Sequence, residues 1–419
     1  MKILLVIFLS LRFLQHLAER FLSSLNRQYY SDQSRQAEAQ RILGIVPEDM
    51  AKTLAYTGDK FTFGRLESWI SILVTLVFIG AGGLGWLEQW AIQQSGSVDS
   101  ITTGLLFFSA LIVLSSLFQL PFDWYRTFSL EEKHGFNRQT MKIFIIDRLK
   151  GLLIFAILAL PLLGLLLQIM TVSGSAWWIY AWFVMSGFCI LTAWLYPTFL
   201  APLFNKFSPL EEGELKESIL KLAAKVNFNA AGLSVMDASR RSSHGNAYFT
   251  GVFGKKKIVL FDTLVESLSH RQIVAVLAHE LGHFKLNHVR WGILRSLAMT
   301  GLTFYLLGLC LPLEDFYLAF GLSGITNHGA LLVFSIWFGL IGFFINPLES
   351  YLSRRNEFAA DRFAVENVGG AEDLGQALLK LREKSHAMPI THPWFSMFYY
   401  SHPPMIERLS AMGYQQSSQ

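Results

Sequence analysis

Six apolar stretches, residues 68–90, 101–121, 151–171, 176–200, 296–313 and 329–348, are each about long enough to cross a bilayer core as a helix. Residues 3–24 form a weaker seventh, apolar from Ile3 to Leu11 and then interrupted by Arg12, His16, Glu19 and Arg20. Lipid offers no water to satisfy open backbone groups, so a chain with this many spans must fold as a bundle of helices. Composition agrees: 52% of residues are hydrophobic and 16% charged, against about a quarter charged in a soluble domain.

The N-terminal stretch has the lysine and short apolar run of a secretory leader, but no small-x-small cleavage site. It reads as an uncleaved span whose polar face looks into protein or a wet interior, because charges facing lipid are costly. Residues 25–66 and 122–150 hold six Lys/Arg each, and 201–290 and the tail are also basic. Residues 91–100, 172–175 and 314–328 hold none. Seven spans with the N-terminus outside put every basic segment in the cytoplasm. A net charge of +4 makes no case for nucleic acid. Cys189 and Cys310 lie in apolar runs and read as buried small residues rather than a disulfide or metal site.

Four regions follow. Residues 1–200 form a membrane region of about five spans with cytoplasmic loops 25–66 and 122–150. Residues 201–295 form a polar segment, 296–348 two further spans, and 349–419 a C-terminal segment. Within the polar segment, 211–227 has a helical pattern with Glu and Lys on one face. Leu233–Met236, Ala247–Thr250 and Lys257–Phe261 read as strands, with Gly251, Gly254 and Lys255 suiting a hairpin turn between the last two. Residues 415–419 read as disordered.

The chemistry lies in His279-Glu280-Leu281-Gly282-His283, an H-E-x-x-H motif in a helical pattern. Residues four apart share a helix face, so two imidazoles can grip one metal ion while Glu280 takes a proton from an attacking water. Gly282 weakens a helix by roughly 1 kcal/mol relative to Ala, which suggests a close approach to the backbone there. His288, nine residues beyond His279, would face the wrong way on a continuous helix. A catalytic zinc needs a third protein ligand. Glu349, Glu357, Asp361 and Glu366 are the candidates, with Glu357 and Asp361 four apart just past the last span.

These residues resemble the type I CAAX prenyl endopeptidases, a membrane-embedded zinc metalloprotease family. Further blocks carry the resemblance: Glu132-Lys133-His134-Gly135-Phe136-Asn137, Ser242 to Phe249, Ser401-His402-Pro403-Pro404, and Glu407-Arg408-Leu409. The resemblance implies a mainly α polytopic fold, about seven transmembrane helices enclosing a chamber, with a gluzincin-type zinc protease domain containing a small sheet. It implies one zinc on His279, His283 and Glu357, with Glu280 as general base. Asp361 would orient a ligand histidine, and Asn246 and Ala247 would pair with an extended substrate. His402 would donate to the oxyanion, and Arg408 would stand behind the ligands or beside the oxyanion. The implied reaction removes the last three residues of prenylated C-a-a-X proteins, on the cytoplasmic face of the endoplasmic reticulum or of a bacterial inner membrane. The competing readings are a quality-control metalloprotease acting on unlipidated membrane proteins, and a transporter with an incidental motif.

Overall fold

The computed structural model describes residues 2–250 and 256–414, so the expected turn residues Gly251, Gly254 and Lys255 and the tail 415–419 lie outside the described residues. Six helices are long and apolar enough to cross a membrane: Pro47–Gly80, Ile101–Glu131, Met141–Val172, Gly174–Phe204, His288–Cys310 and Asn327–Val368. Their outer faces leave large side chains such as Leu73, Leu153, Phe183 and Phe344 exposed, a surface suited to lipid rather than water.

The helices overrun the expected spans. Asn327–Val368 has 42 residues, roughly 63 Å at about 1.5 Å per residue, twice a bilayer core. It runs unbroken past Pro347 and carries Glu357 and Asp361 out of the apolar zone on one rod. The stretch 68–90, by contrast, is not one span. The helix ends at Gly80, Gly82 takes the left-handed conformation at φ 80°, and a new helix covers Gly83–Ser95. Glu88 on that helix is fully buried, bonded to His328 at 3.0 Å and to Ser323 N–H and Oγ at 2.7 Å each.

The N-terminal stretch forms one 30-residue helix, Lys2–Ser31, and its charges keep it out of the six most apolar. With it the bundle has about seven long helices. Its polar residues turn inward as expected. His16 is buried against the Trp69 ring, 4.5 Å between centroids, and Gln15 donates to Glu19 at 2.9 Å. The cysteines depart from expectation: Cys189 is exposed and Cys310 is half-buried.

Residues 207–261 build a four-stranded sheet, β1 (Phe207–Pro209), β2 (Ala230–Met236), β3 (Ala247–Thr250) and β4 (Lys256–Phe261), in the order β1-β2-β4-β3. β2 runs parallel to β4, and β3 pairs antiparallel with β4 from Ala247↔Leu260 to Thr250↔Lys257. β3 is therefore an edge. The predicted helix appears as Glu214–Lys225. Its Leu215, Ile219 and Leu222 join Ile258 and Leu260 of β4 and Ile273, Leu277 and Leu281 of the motif helix in one core.

Candidate active site

The motif helix, His270–Lys285, starts with a capping box in which Ser269 and Gln272 each bond the other's backbone N–H. Ile273, Leu277 and Leu281 recur every four residues and are fully buried in the core. His279 lies two residues beyond Leu277, about 200° around the helix, and so faces away from that core. On that side runs Asn327–Val368. A Cβ at Gly282 would stand 3.1 Å from Ala360 Cα and 3.2 Å from the Ala360 carbonyl oxygen. The glycine is thus the contact point that lets the helix carrying Glu357 come close, as the sequence suggests.

Three side chains converge there. His279 Nε2 is 3.2 Å from His283 Nε2 and 3.4 Å from Glu357 Oε2, and His283 Nε2 is 3.2 Å from Glu357 Oε1. Glu357 is buried, and its Oε2 has no hydrogen-bond partner. Asp361, one turn on, approaches His279 Nδ1 to 2.8 Å. Arg408 grips Asp361 with both arms, Nε to Oδ2 at 2.8 Å and Nη2 to Oδ1 at 2.6 Å, and all three groups are buried. Burial alone would depress the His279 pKa, but Asp361 and Glu357 outweigh it and push it up to about 9. Burial also pushes the Glu280 carboxyl up, with His279 and His283 opposing.

Two other elements face this cluster. His402 Nε2 is 3.5 Å from Glu357 Oε1, its ring is 63% exposed, and Ser401 Oγ holds its Nδ1 at 2.9 Å. The edge strand is the other. Asn246 gives its backbone carbonyl to Phe261 N–H at 2.9 Å. Alternation along an antiparallel ladder then turns the backbone groups of Ala247 to the open edge. Asn246 Oδ1 accepts the Ala247 N–H at 2.8 Å. The blocks around Phe136 and His244 also meet: their rings stack at 4.8 Å, and Asn137 forms a bridge with Ser242.

Residues 27–206 match the CAAX prenyl protease N-terminal model of five membrane helices, and residues 209–416 match peptidase family M48. A CAAX prenyl protease 1 homolog of Oryza sativa subsp. japonica is 37% identical over 382 residues, 88% of this chain and 89% of that protein. CAAX prenyl protease 1 of Saccharomyces cerevisiae is 38% identical over 397 residues, 88% and 87% of the two chains. The chain belongs to the CAAX prenyl protease 1 branch of the M48 peptidases. The crystal structure of S. mikatae Ste24p aligns with a TM-score of 0.91 at 33% identity, over 98% of this chain and 99% of that one.

Membership in the M48 peptidases implies a metal, and the cluster fits one. At zinc–nitrogen distances of about 2.0–2.1 Å, tetrahedral ligand atoms stand roughly 3.3 Å apart. The separations here, taken to whichever Glu357 oxygen is nearer, are 3.2, 3.2 and 3.4 Å. Glu357 Oε2 is buried without a hydrogen bond, with Arg408 Nη2 no nearer than 3.8 Å, and the field at His279 favours positive charge; both suit a cation between them. Among the described residues no other group of three His, Cys, Asp or Glu side chains converges in this way.

One partner of the M48 cluster escapes sequence reading. His288 does not face away. The motif helix stops at Lys285, Asn287 takes the left-handed conformation at φ 59°, and a new helix begins at His288. That break folds His288 back until its Nδ1 lies 3.1 Å from His283 Nδ1. A proton on His283 Nδ1, donated to His288, leaves His283 Nε2 free to ligate. His288→Ala is expected to weaken zinc affinity about 10- to 100-fold, as loss of such an outer partner does elsewhere. Competition with a chelator measures it, and unchanged affinity would refute the role.

Proposed function

We propose that this membrane metallopeptidase removes the C-terminal tripeptide of prenylated C-a-a-X proteins at the cytoplasmic face of its membrane. The observation that carries this reading is the unbroken helix Asn327–Val368, which crosses the apolar zone and delivers Glu357 to the two motif histidines. The reacting centre is thereby tied to the bilayer, where a lipidated cysteine resides. The basic loops 25–66 and 122–150 support the cytoplasmic assignment, for an endoplasmic reticulum or a bacterial inner membrane alike.

In this reading His279, His283 and Glu357 hold one zinc per chain. A bound zinc polarises the scissile carbonyl and makes water acidic near neutral pH. Glu280 takes a proton from the attacking water and passes it to the amine nitrogen as the C–N bond breaks. Its burial, which raises its proton affinity, suits a base that must also give the proton back. His402 donates Nε2–H to the oxygen that gains charge. Asp361 fixes the ring of His279 and is itself fixed by Arg408. Ala247, whose N–H is held by Asn246, offers its backbone carbonyl to a substrate that adds as a strand. The lipid stays among the spans.

The test is digestion in detergent of a farnesylated C-a-a-X peptide, read by product mass. Release of an intact tripeptide is the expected result. Cuts at several internal positions would overturn the reading in favour of general membrane-protein proteolysis.

A further inference from the structure

A cavity of about 590 Å³ opens beside His402 and Arg408 and extends to the helix Pro47–Gly80. Its volume lies in the range of small-molecule sites. Its charge is one-sided. Lys60, Arg382 and Arg408 line it together with His244, His386 and His402, and no Asp or Glu does among the described residues. The neighbouring cavity of about 780 Å³, which shares His386, is instead lined by Glu48, Asp49, Glu266 and Glu383 as well as by lysines.

Two of the three permanent cations are already committed. Arg408 is locked on Asp361 by both arms. Arg382 is held by Asp49 and reaches Thr53 Oγ1 at 3.5 Å. Lys60 has no carboxylate partner among the described residues. Its ammonium lies over the Tyr56 ring, 4.8 Å from the centroid, and its residue is exposed to the cavity. The Tyr56 hydroxyl donates to Glu131 at 2.8 Å, which keeps that carboxylate occupied behind the aromatic ring.

The cavity also has the right address. His244, on its wall, lies three residues before Ala247 of the edge strand, and His402, which also lines it, is 3.5 Å from Glu357. A peptide lying along the edge strand and past the donor cluster would run into this space. Three extended residues beyond the cut span about 10 Å.

We propose that this cavity takes the leaving tripeptide and that Lys60 binds its terminal carboxylate, making Lys60 a specificity-determining residue for the position of the cut. A carboxylate three residues beyond the scissile bond would then set the register of the substrate, as a point charge on a flexible stem can do. The inference rests on the C-a-a-X reading above and adds the feature by which the end of the chain is recognised.

The experiment compares one farnesylated C-a-a-X peptide with a free terminal carboxylate and the same peptide with a terminal carboxamide. The full chain in detergent is used as wild type, Lys60→Met and Lys60→Arg. Wild type is expected to favour the acid over the amide about ten- to a hundred-fold in kcat/KM, the range a charge-assisted hydrogen bond supplies. Lys60→Met is expected to bring that ratio close to one, and Lys60→Arg to keep most of it. Loss of folding alone would lower both rates and leave their ratio in place. Equal cleavage of acid and amide by wild type, or an undiminished preference in Lys60→Met, would overturn the proposal while leaving the prenyl peptidase reading standing. Cleavage of neither peptide by wild type would overturn both.

Discussion

Glu280→Ala is expected to lower peptide hydrolysis about 10²- to 10⁴-fold while the purified chain keeps its bound metal. The magnitude follows from what a positioned general base contributes, roughly 10² to 10⁴. Retention of the metal follows from geometry. Glu280 is not among the three converging side chains, and the separations among His279, His283 and Glu357 do not pass through it. Turnover and metal content must therefore be measured on the same preparation. Wild-type turnover in the variant would remove Glu280 from the mechanism. Loss of the metal with loss of turnover would make it a ligand or a scaffold residue instead of a base.

His402→Phe is expected to reduce kcat about 10²- to 10³-fold with KM little changed. The side chain sits on the open side of the donor cluster, and Ser401 Oγ lies against its Nδ1. If the serine hydroxyl donates to Nδ1, the imidazole carries its proton on Nε2, the atom that faces Glu357. Charge develops on the carbonyl oxygen only as the water adds, so a donor aimed at that position acts in the transition state and not on bound substrate. Phenylalanine keeps the ring and removes the donor. A variant that raised KM and left kcat alone would show that His402 binds substrate and does not stabilise the oxyanion.

The legible parts of this molecule are those written in short repeats. Two histidines four apart, the short strands β3 and β4, and two carboxylates four apart past the last span each fix local geometry within one element. Gly282 was also readable, since a glycine inside a functional helix signals close approach, and Ala360 supplies it.

What the sequence conceals depends on breaks and on distant pairings. His288 could be placed only by knowing that Asn287 adopts a left-handed turn, which ends one helix and begins another. A continuous helix puts the same residue on the far side. Asn is one of the few non-glycine residues that visits that conformation readily, so the signal was present but weak. Arg408 could have answered Glu407 or any nearby acid. Its actual partner, Asp361, is 47 positions away and is reached only by folding the C-terminal helix against the long one. The strand β1 was hidden by its length of three residues and by Pro209, which suits an edge better than a centre. The interruption at Gly82 was hidden because both flanking helices are apolar, and hydropathy alone does not register a turn between them.

The most direct test is the rate at which the purified chain cleaves one C-a-a-X peptide in farnesylated and unprenylated forms, with Glu280→Ala as the blank. Rapid release of the tripeptide from the farnesylated peptide and little from the bare one is expected if the spans hold the lipid and the edge strand presents the bond to the metal. Equal rates on the two peptides would contradict it.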